Sequence, residues 1–280
     1  MTKKIGLFGY PLSHSISPVF QQAALDYCSL DVIYKVWPVE PANLQTEVDK
    51  LRSMDYLGAG ITIPYKEKVM PFLDVVDPFA SRVGAVNTIV NNGGRLIGHN
   101  TDVYGFMQGL TETAKFSPMG KRVLVVGAGG AARAGIFGLI QSGVSMISIA
   151  NRTKERALQI VEQFVDEEVE MEVVRSDRYE LDRVVKNADL VVNATSVGMR
   201  NSASENDVPF ETGSISPSSL VYDMVYTPRD TPFLVLAKEA GADTLGGLPM
   251  LIYQGSKSFS MWTGVDAPIN IMFDAANDVL

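Results

Sequence analysis

Residues 123–135 read VLVVGAGGAARAG. Four apolar residues of strand character run straight into Gly127-Ala128-Gly129, and a helix-compatible run follows. In such a strand–turn–helix the first glycine, Gly127, makes the tight turn. The second, Gly129, lets backbone approach a pyrophosphate, and the third position, Ala132, keeps the helix close to the strand. Gly130 and Ala131 open that helix, whose free N–H groups and positive end suit phosphate. The same residues also suit a tight turn packed by small side chains. The flanking strand and helix are both legible, which is the context a dinucleotide site demands.

The end of the next strand bears on the cofactor. An acidic residue there takes a ribose 2′-OH, and its charge repels a 2′-phosphate. This chain instead has IANRTKERA, with Asn151, Arg152, Thr153 and Arg156. Arginine offers a planar fork of donors to phosphate oxygens, and Thr153 adds a hydroxyl that could also cap the helix. The two arginines could equally be solvated charges, Arg156 pairing with a nearby glutamate. Their placement points to NADP.

Outward from this unit, strand-length apolar runs alternate with helix-period segments, which predicts α/β architecture with parallel sheets. Upstream, IGLFG, VIYKVWPVE and GAGITIPY read as strands, and SPVFQQAALDYCSL and PANLQTEVDKLRSM as helices. KEKVMPFLD reads as a short helix, and GAVNTIVNNGGRLIGHNTD as a hairpin around an Asn-Gly turn. A helix through VYGFMQGLTETAKF follows. Downstream, SMISIANRT, VEMEVV, ADLVVNAT and SSLVYDMVY continue the strands. The organisation expected is an α/β domain over 1–103 and a Rossmann-type, doubly wound domain over 104–247. Helices in 248–280 pack back on the first domain, with the boundary near residues 103 to 120.

Composition narrows the function. With 46% apolar and 20% charged residues in 280, the chain reads as globular with a sizeable core. A net charge of −8 supplies no basic stripe for nucleic acid. The one cysteine, Cys28, excludes an internal disulfide, and two histidines, His14 and His99, argue against a histidine or thiolate metal site. The apolar run after Lys3-Lys4 is too short for a signal peptide, and none is long enough to span a membrane. A cytoplasmic protein is expected.

A second motif, GYPLSHSISP at 9–18, empties a strand into a turn carrying Ser13, His14, Ser15 and Ser17 before Pro18. Ser17 could be an N-cap with Pro18 at the first helical position. The hydroxyls could also await an anion.

These motifs together resemble one family, the shikimate dehydrogenases with their quinate/shikimate relatives. The resemblance covers essentially the whole chain, through GYPLSHSISP, GITIPYK, GAVNT, GHNTDVYGF, GAGGAARA, NRTKERA, NATSVGM and GLPMLIYQG, in order and spacing. It implies reversible NADPH-dependent reduction of 3-dehydroshikimate to shikimate, in the biosynthesis of chorismate and the aromatic amino acids. It also implies an N-terminal substrate-binding domain and an active site in the cleft between the two domains. No metal is implied, nor any partner beyond small molecules, and a monomer or homodimer is expected.

Residue by residue, the resemblance assigns Ser15 and Ser17 to the substrate carboxylate. Lys66 matches a catalytic lysine and Asp102 its partner; Lys68 is the local alternative. Thr62 and Asn87 match substrate contacts beside the lysine, and Tyr226 and Gln254 match residues closing from the far side. Gly127, Ala128, Gly129, Gly130 and Ala131 would cradle the cofactor pyrophosphate, with Asn193, Thr195, Met199 and Gly247 nearer the nicotinamide. Two positions depart from the family. Gly60 stands where an asparagine is usual, a loss on the order of 1 kcal/mol if nothing replaces the contact, and Gln21-Gln22 replace His-Asn. These leave a quinate or aminoshikimate dehydrogenase, or a non-catalytic NADP-dependent binding protein, as alternatives. Ser17, where quinate-preferring relatives often carry threonine, favours shikimate.

Overall fold

The computed structural model describes residues 2–10, 12, 15–175, 178–210 and 213–280, the side chain of Arg178 excepted. The chain divides into two compact units, Met1–Gly105 with Ile252–Leu280, and Phe106–Leu251. Ser13 and His14 of the serine turn lie outside the described residues.

The first unit begins with β1 (Lys3–Gly9), α1 (Ser17–Tyr27), β2 (Val32–Pro38), α2 (Leu44–Lys50) and β3 (Tyr56–Ile61). Next come β4 (Val75–Val76), α3 (Pro78–Val83), β5 (Thr88–Asn92), β6 (Arg95–His99) and the start of α4 (Asp102–Gln108). Its sheet runs β2-β1-β3-β5-β6-β4. β1 lies parallel between β2 and β3, and its apolar run Ile5 to Phe8 is buried on both faces, as a central parallel strand requires. The sheet is not parallel throughout, however. β5 pairs antiparallel with both β3 and β6, and a two-residue turn joins it to β6. That turn is Gly93-Gly94 rather than Asn92-Gly93, with φ of 62° and 93°, the left-handed pair a two-residue hairpin needs.

The second unit contains β7 (Arg122–Val126), α5 (Gly130–Gln141), β8 (Met146–Ala150), α6 (Lys154–Gln163) and β9 (Glu170–Val174). It continues through α7 (Arg178–Asn187), β10 (Leu190–Asn193), β11 (Leu220–Asp223), α8 (Pro232–Glu239) and β12 (Asp243–Leu245). All its pairings are parallel, in the order β12-β11-β10-β7-β8-β9. This is the doubly wound Rossmann order, with the switch point between β7 and β10. α9 (Leu248–Thr263) and α10 (Ile269–Asn277) close the chain, and from Ile252 onward it belongs to the first unit, where α10 packs on α1.

Two local readings need correction, and one helix, α7, carried no reading. KEKVMPFLD is a succession of turns with one 3₁₀ turn, Met70–Phe72. Its only α-type bond runs from Val69 N–H to Tyr65 O, and Pro71 brings no N–H to extend it. Ser17 is not the N-cap of α1 but its first residue; Ile16 is the N-cap and makes no side-chain cap bond. α7 was not legible, because its only apolar residues in a strongly charged run are Leu181, Val184 and Val185, apart from an exposed Tyr179. Among the described residues, no helix is long and apolar enough to cross a membrane.

Candidate active site

In the first unit the chain leaves β3 at Ile61 and turns through Thr62–Lys66. Thr62 N–H donates to Phe8 O at 2.9 Å, and Lys66 O accepts from Val86 N–H at 2.7 Å. The lysine backbone is thereby held between β1 and the chain entering β5. Lys66 Nζ lies 2.5 Å from Asp102 Oδ2, the two side chains being 16% and 4% exposed. Lys68, by contrast, is exposed. Asp102 opens α4, and its other oxygen, Oδ1, accepts from Asn87 Nδ2 at 2.8 Å. Both carboxylate oxygens therefore have partners, the condition under which a buried ion pair is tolerated.

Asn87 is oriented from its far end. Thr101 N–H donates to Asn87 Oδ1 at 2.8 Å, which requires an oxygen there, and Nδ2 donates to Thr101 Oγ1 at 2.8 Å. Gln254 of α9 brings Oε1 to 3.2 Å from Asn87 Nδ2. The first unit thus gathers Lys66, Asp102, Asn87 and Gln254 from four stretches of chain. The ammonium has three donors and the carboxylate engages one, so the lysine can still donate to a ligand oxygen. Thr101, Thr88 and Ser258, all buried beside Asn87, escaped the sequence reading. The four-residue spacing from Gln254 to Ser258 along a helix was the available signal.

At the serine turn, Ser15 Oγ accepts from Ser17 N–H at 3.3 Å, so Ser15 serves the helix start that was expected of Ser17. Ser17 is buried, at 7% exposure, and Ser15 is half-buried. Gln21 and Gln22 tie α1 in place. Gln21 Nε2 donates to Gly255 O at 2.9 Å, and Gln22 Oε1 accepts from Tyr34 N–H at 2.9 Å.

In the second unit Gly127 has φ of 119°, and a Cβ there would lie 2.9 Å from Ala194 O, so the tight turn requires glycine. A Cβ on Gly129 would meet nothing within 4 Å, which leaves open space where a pyrophosphate needs to approach. Gly129 is the N-cap of α5, and its carbonyl takes Arg133 N–H at 2.9 Å. The N–H groups of Gly130, Ala131 and Ala132 precede that first helical bond and are the ones a phosphate would use. Ala128 is buried; Gly130 and Ala131 are half-buried.

Asn151 Nδ2 donates to Thr153 O at 2.7 Å and shapes the turn after β8. Arg152, Thr153 and Arg156 are exposed there, and Thr153 occupies the N-cap of α6 without a side-chain cap bond. Its hydroxyl is not the cap its position suggested. These residues fit a dinucleotide carrying a 2′-phosphate.

Asn193, expected among the cofactor contacts, is fully buried and holds the loop that follows β10. Its Nδ2 donates to Asp223 Oδ1 at 2.9 Å, and its Oδ1 accepts from Thr195 N–H at 3.1 Å and Thr195 Oγ1 at 2.7 Å. Burial pushes the Asp223 carboxyl up to about 6, against hydrogen bonds from Thr231, Val225 N–H and Asn193. Gly247 has a packing reason, since a Cβ there would lie 2.2 Å from Met224 O. Met199 is exposed and Tyr226 half-buried, both in this unit. Among the described residues, no group of three or more His, Cys, Asp or Glu could hold a metal ion.

Family comparison bears on both units. The shikimate dehydrogenase substrate binding domain matches residues 7–89, shikimate / quinate 5-dehydrogenase matches 111–209, and the shikimate 5′-dehydrogenase C-terminal domain matches 247–276. The chain belongs to the shikimate dehydrogenase family. The shikimate dehydrogenase (NADP(+)) of Desulforamulus reducens is 42% identical over 273 residues, covering 97% of this chain and 93% of the relative. Among solved members of the family, shikimate 5-dehydrogenase of Thermus thermophilus, in complex with NADP(H) and shikimate, superposes with a TM-score of 0.87. It is 34% identical, covering 99% of this chain and all of that one. The Listeria monocytogenes enzyme, in complex with shikimate and NAD, gives 0.89 at 33% identity, over 100% and 96% of the two chains.

Proposed function

We propose that this chain catalyses the reversible NADPH-dependent reduction of 3-dehydroshikimate to shikimate. The observation that carries the reading is the partly buried Lys66–Asp102 pair, held by Asn87 and adjoining Gln254, in a member of this family. NADPH, when bound, supplies the hydride.

The chain's own residues do the rest. Lys66 donates a proton or a hydrogen bond to the substrate oxygen that gains charge as the ketone is reduced, and Asp102 holds the ammonium in place. Asn87, whose two amide protons go to Thr101 and Asp102, aligns the Asp102 carboxylate beside the substrate, with Thr62 next to it and Gln254 completing the polar surface. Ser15 and Ser17 receive the carboxylate, two neutral donors that bind a small anion and still release it. Gly127–Ala131 and the start of α5 hold the pyrophosphate, and Arg152, Thr153 and Arg156 the 2′-phosphate. Thr195 and Met199 lie on the loop that Asn193 shapes and serve the nicotinamide end of the cofactor. The chain acts in the cytoplasm as a monomer or homodimer, a reading supported by the sequence alone and testable by fractionation and light scattering.

Gly60 favours a second reading, a related acid such as quinate. Initial rates of NADP⁺ and NAD⁺ reduction with each acid separate the two. Turnover on shikimate with an NADP preference supports the first. Turnover on quinate alone replaces it, and cofactor binding without turnover leaves a binding protein.

A further inference from the structure

Three parallel strands of the second unit end side by side, with Val126 of β7, Asn193 of β10 and Asp223 of β11 in register. Asn193 and Asp223 are fully buried there. The chain leaving β10, residues 194–199, lies against the nucleotide turn. Ala194 N–H donates to Val126 O at 2.8 Å, and a Cβ on Gly127 would lie 2.9 Å from Ala194 O and 3.2 Å from Thr195 Cγ2.

The Asn193 amide sets the path of that loop, and all its hydrogen-bonding positions are used. Oδ1 accepts from Thr195 N–H at 3.1 Å and Thr195 Oγ1 at 2.7 Å, and Thr195 Oγ1 accepts from Val197 N–H at 3.1 Å. A backbone N–H only donates, so the atom facing Thr195 is the oxygen. Nδ2 donates to Val197 O at 3.2 Å and, more closely, to Asp223 Oδ1 at 2.9 Å. Asp223 is fixed in turn from outside the loop. Val225 N–H donates to its Oδ1 at 3.0 Å, and the hydroxyl of Thr231, the N-cap of α8, donates to Oδ2 at 2.6 Å. The carboxylate thus ties the amide to β11 and α8. Without it, none of the remaining Asn193 side-chain bonds reaches beyond the loop.

We infer that Asp223 is a positioning residue for the nicotinamide end of NADP, setting residues 194–199 against the Gly127 turn through Asn193. The inference deepens the proposed function and rests on its assignment of Thr195 and Met199 to that end of the cofactor. The family resemblance gives Asp223 no role.

The test measures NADP⁺ affinity by calorimetry, without substrate, in wild type, Asp223→Ala, Asp223→Asn, Asn193→Ala, the Asp223→Ala/Asn193→Ala double variant and Thr231→Val. Asp223→Ala and Asn193→Ala should each weaken NADP⁺ about five- to tenfold, the scale of one lost hydrogen bond. The double variant should be no weaker than Asp223→Ala, because the effect passes through Asn193. Asp223→Asn should stay within about twofold of wild type, since its oxygen still accepts from Asn193 and Val225. Thr231→Val removes the α8 cap and the other carboxylate contact, and should lower the melting temperature with affinity unchanged. Adenosine 2′-monophosphate, titrated in competition with NADP⁺, lacks the nicotinamide half and should bind every variant alike. Asp223→Leu, which keeps a similar volume without an acceptor, decides the matter if the alanine variant does not fold.

Unchanged NADP⁺ affinity beside a lower melting temperature in Asp223→Ala would make Asp223 a structural residue only. Equal weakening of adenosine 2′-monophosphate would mean that the whole unit loosens, and additive effects would separate Asp223 from Asn193. A wild type that binds no NADP⁺ would sink the proposed function and this inference together. One that binds NADP⁺ but is inert on shikimate would sink the proposed reaction alone.

Discussion

Asn87 donates to Asp102 Oδ1 at 2.8 Å while Lys66 Nζ meets Oδ2 at 2.5 Å, so neither carboxylate oxygen is left to rotate. Asn87 is itself clamped by Thr101 at both ends of its amide. The lysine is therefore aimed by a carboxylate that is aimed by an amide. A site that must meet one ketone oxygen gains from this, since misplaced donors lose much of their effect on a transition state.

Replacing Lys66 tests that arrangement directly. Lys66→Ala should lower turnover on the order of 10²–10⁴-fold, the range of a lost general acid. NADPH affinity, measured by fluorescence titration, should stay near wild type, because no cofactor contact is assigned to Lys66. Turnover near wild type would remove the lysine from the mechanism.

The exposed arginine after β8 should govern cofactor choice. Arg152→Asp should weaken NADP⁺ about ten- to a hundredfold, the cost of a charge-assisted hydrogen bond plus new repulsion. NAD⁺ should be little affected. Steady-state kinetics with both cofactors reads the ratio, and an unchanged NADP preference would shift the assignment to Thr153 and Arg156.

Asp223 gives stability a pH dependence of definite sign. Its folded value of about 6 lies above the ordinary 3.8, because burial penalises the charged form. The native chain binds that proton more tightly than the unfolded chain. The resulting stabilisation is fully present below about pH 3.8 and is lost as pH rises through about 6, on the order of a few kcal/mol. Asp223→Asn should flatten the fall in melting temperature across this window relative to wild type. Parallel profiles would mean that Asp223 is already ionised there.

Gly60 faces occupied space. A Cβ would lie 3.2 Å from Leu7 Cδ1 and 3.3 Å from the hydroxyl of Tyr34, a residue 7% exposed. Gly60→Asn should therefore destabilise the first unit by about 1–3 kcal/mol through overpacking. Adding Tyr34→Phe should recover part of this, measured by urea denaturation of the single and double variants. No loss in the single variant would show that Tyr34 swings aside freely.

Much of the architecture was legible because its causes are local. The turn at Gly127 and Gly129, the hairpin before Arg95 and the apolar runs of β7 and β10 depend on residues within a few positions of each other. Local rules failed where an element was marginal. KEKVMPFLD has helical composition but no room for a second turn before Pro71, and Ser17 looked like an N-cap until Ser15 was found accepting its N–H. Asn193, assigned to the cofactor by the family resemblance, is fully buried and donates to Asp223, a partner 30 residues away that no local pattern shows.

The sequence by itself determined the family, the doubly wound second unit, and which lysine and aspartate to pair, since motifs in order preserve identity without needing geometry. Only the tertiary structure decided who holds whom. Asn87 meets Thr101 and Gln254 across separations of 14 and 167 residues. Hydrogen bonds reach about 3 Å and depend on direction, so no periodicity along the chain encodes them. They exist only after the sheet and α9 have packed.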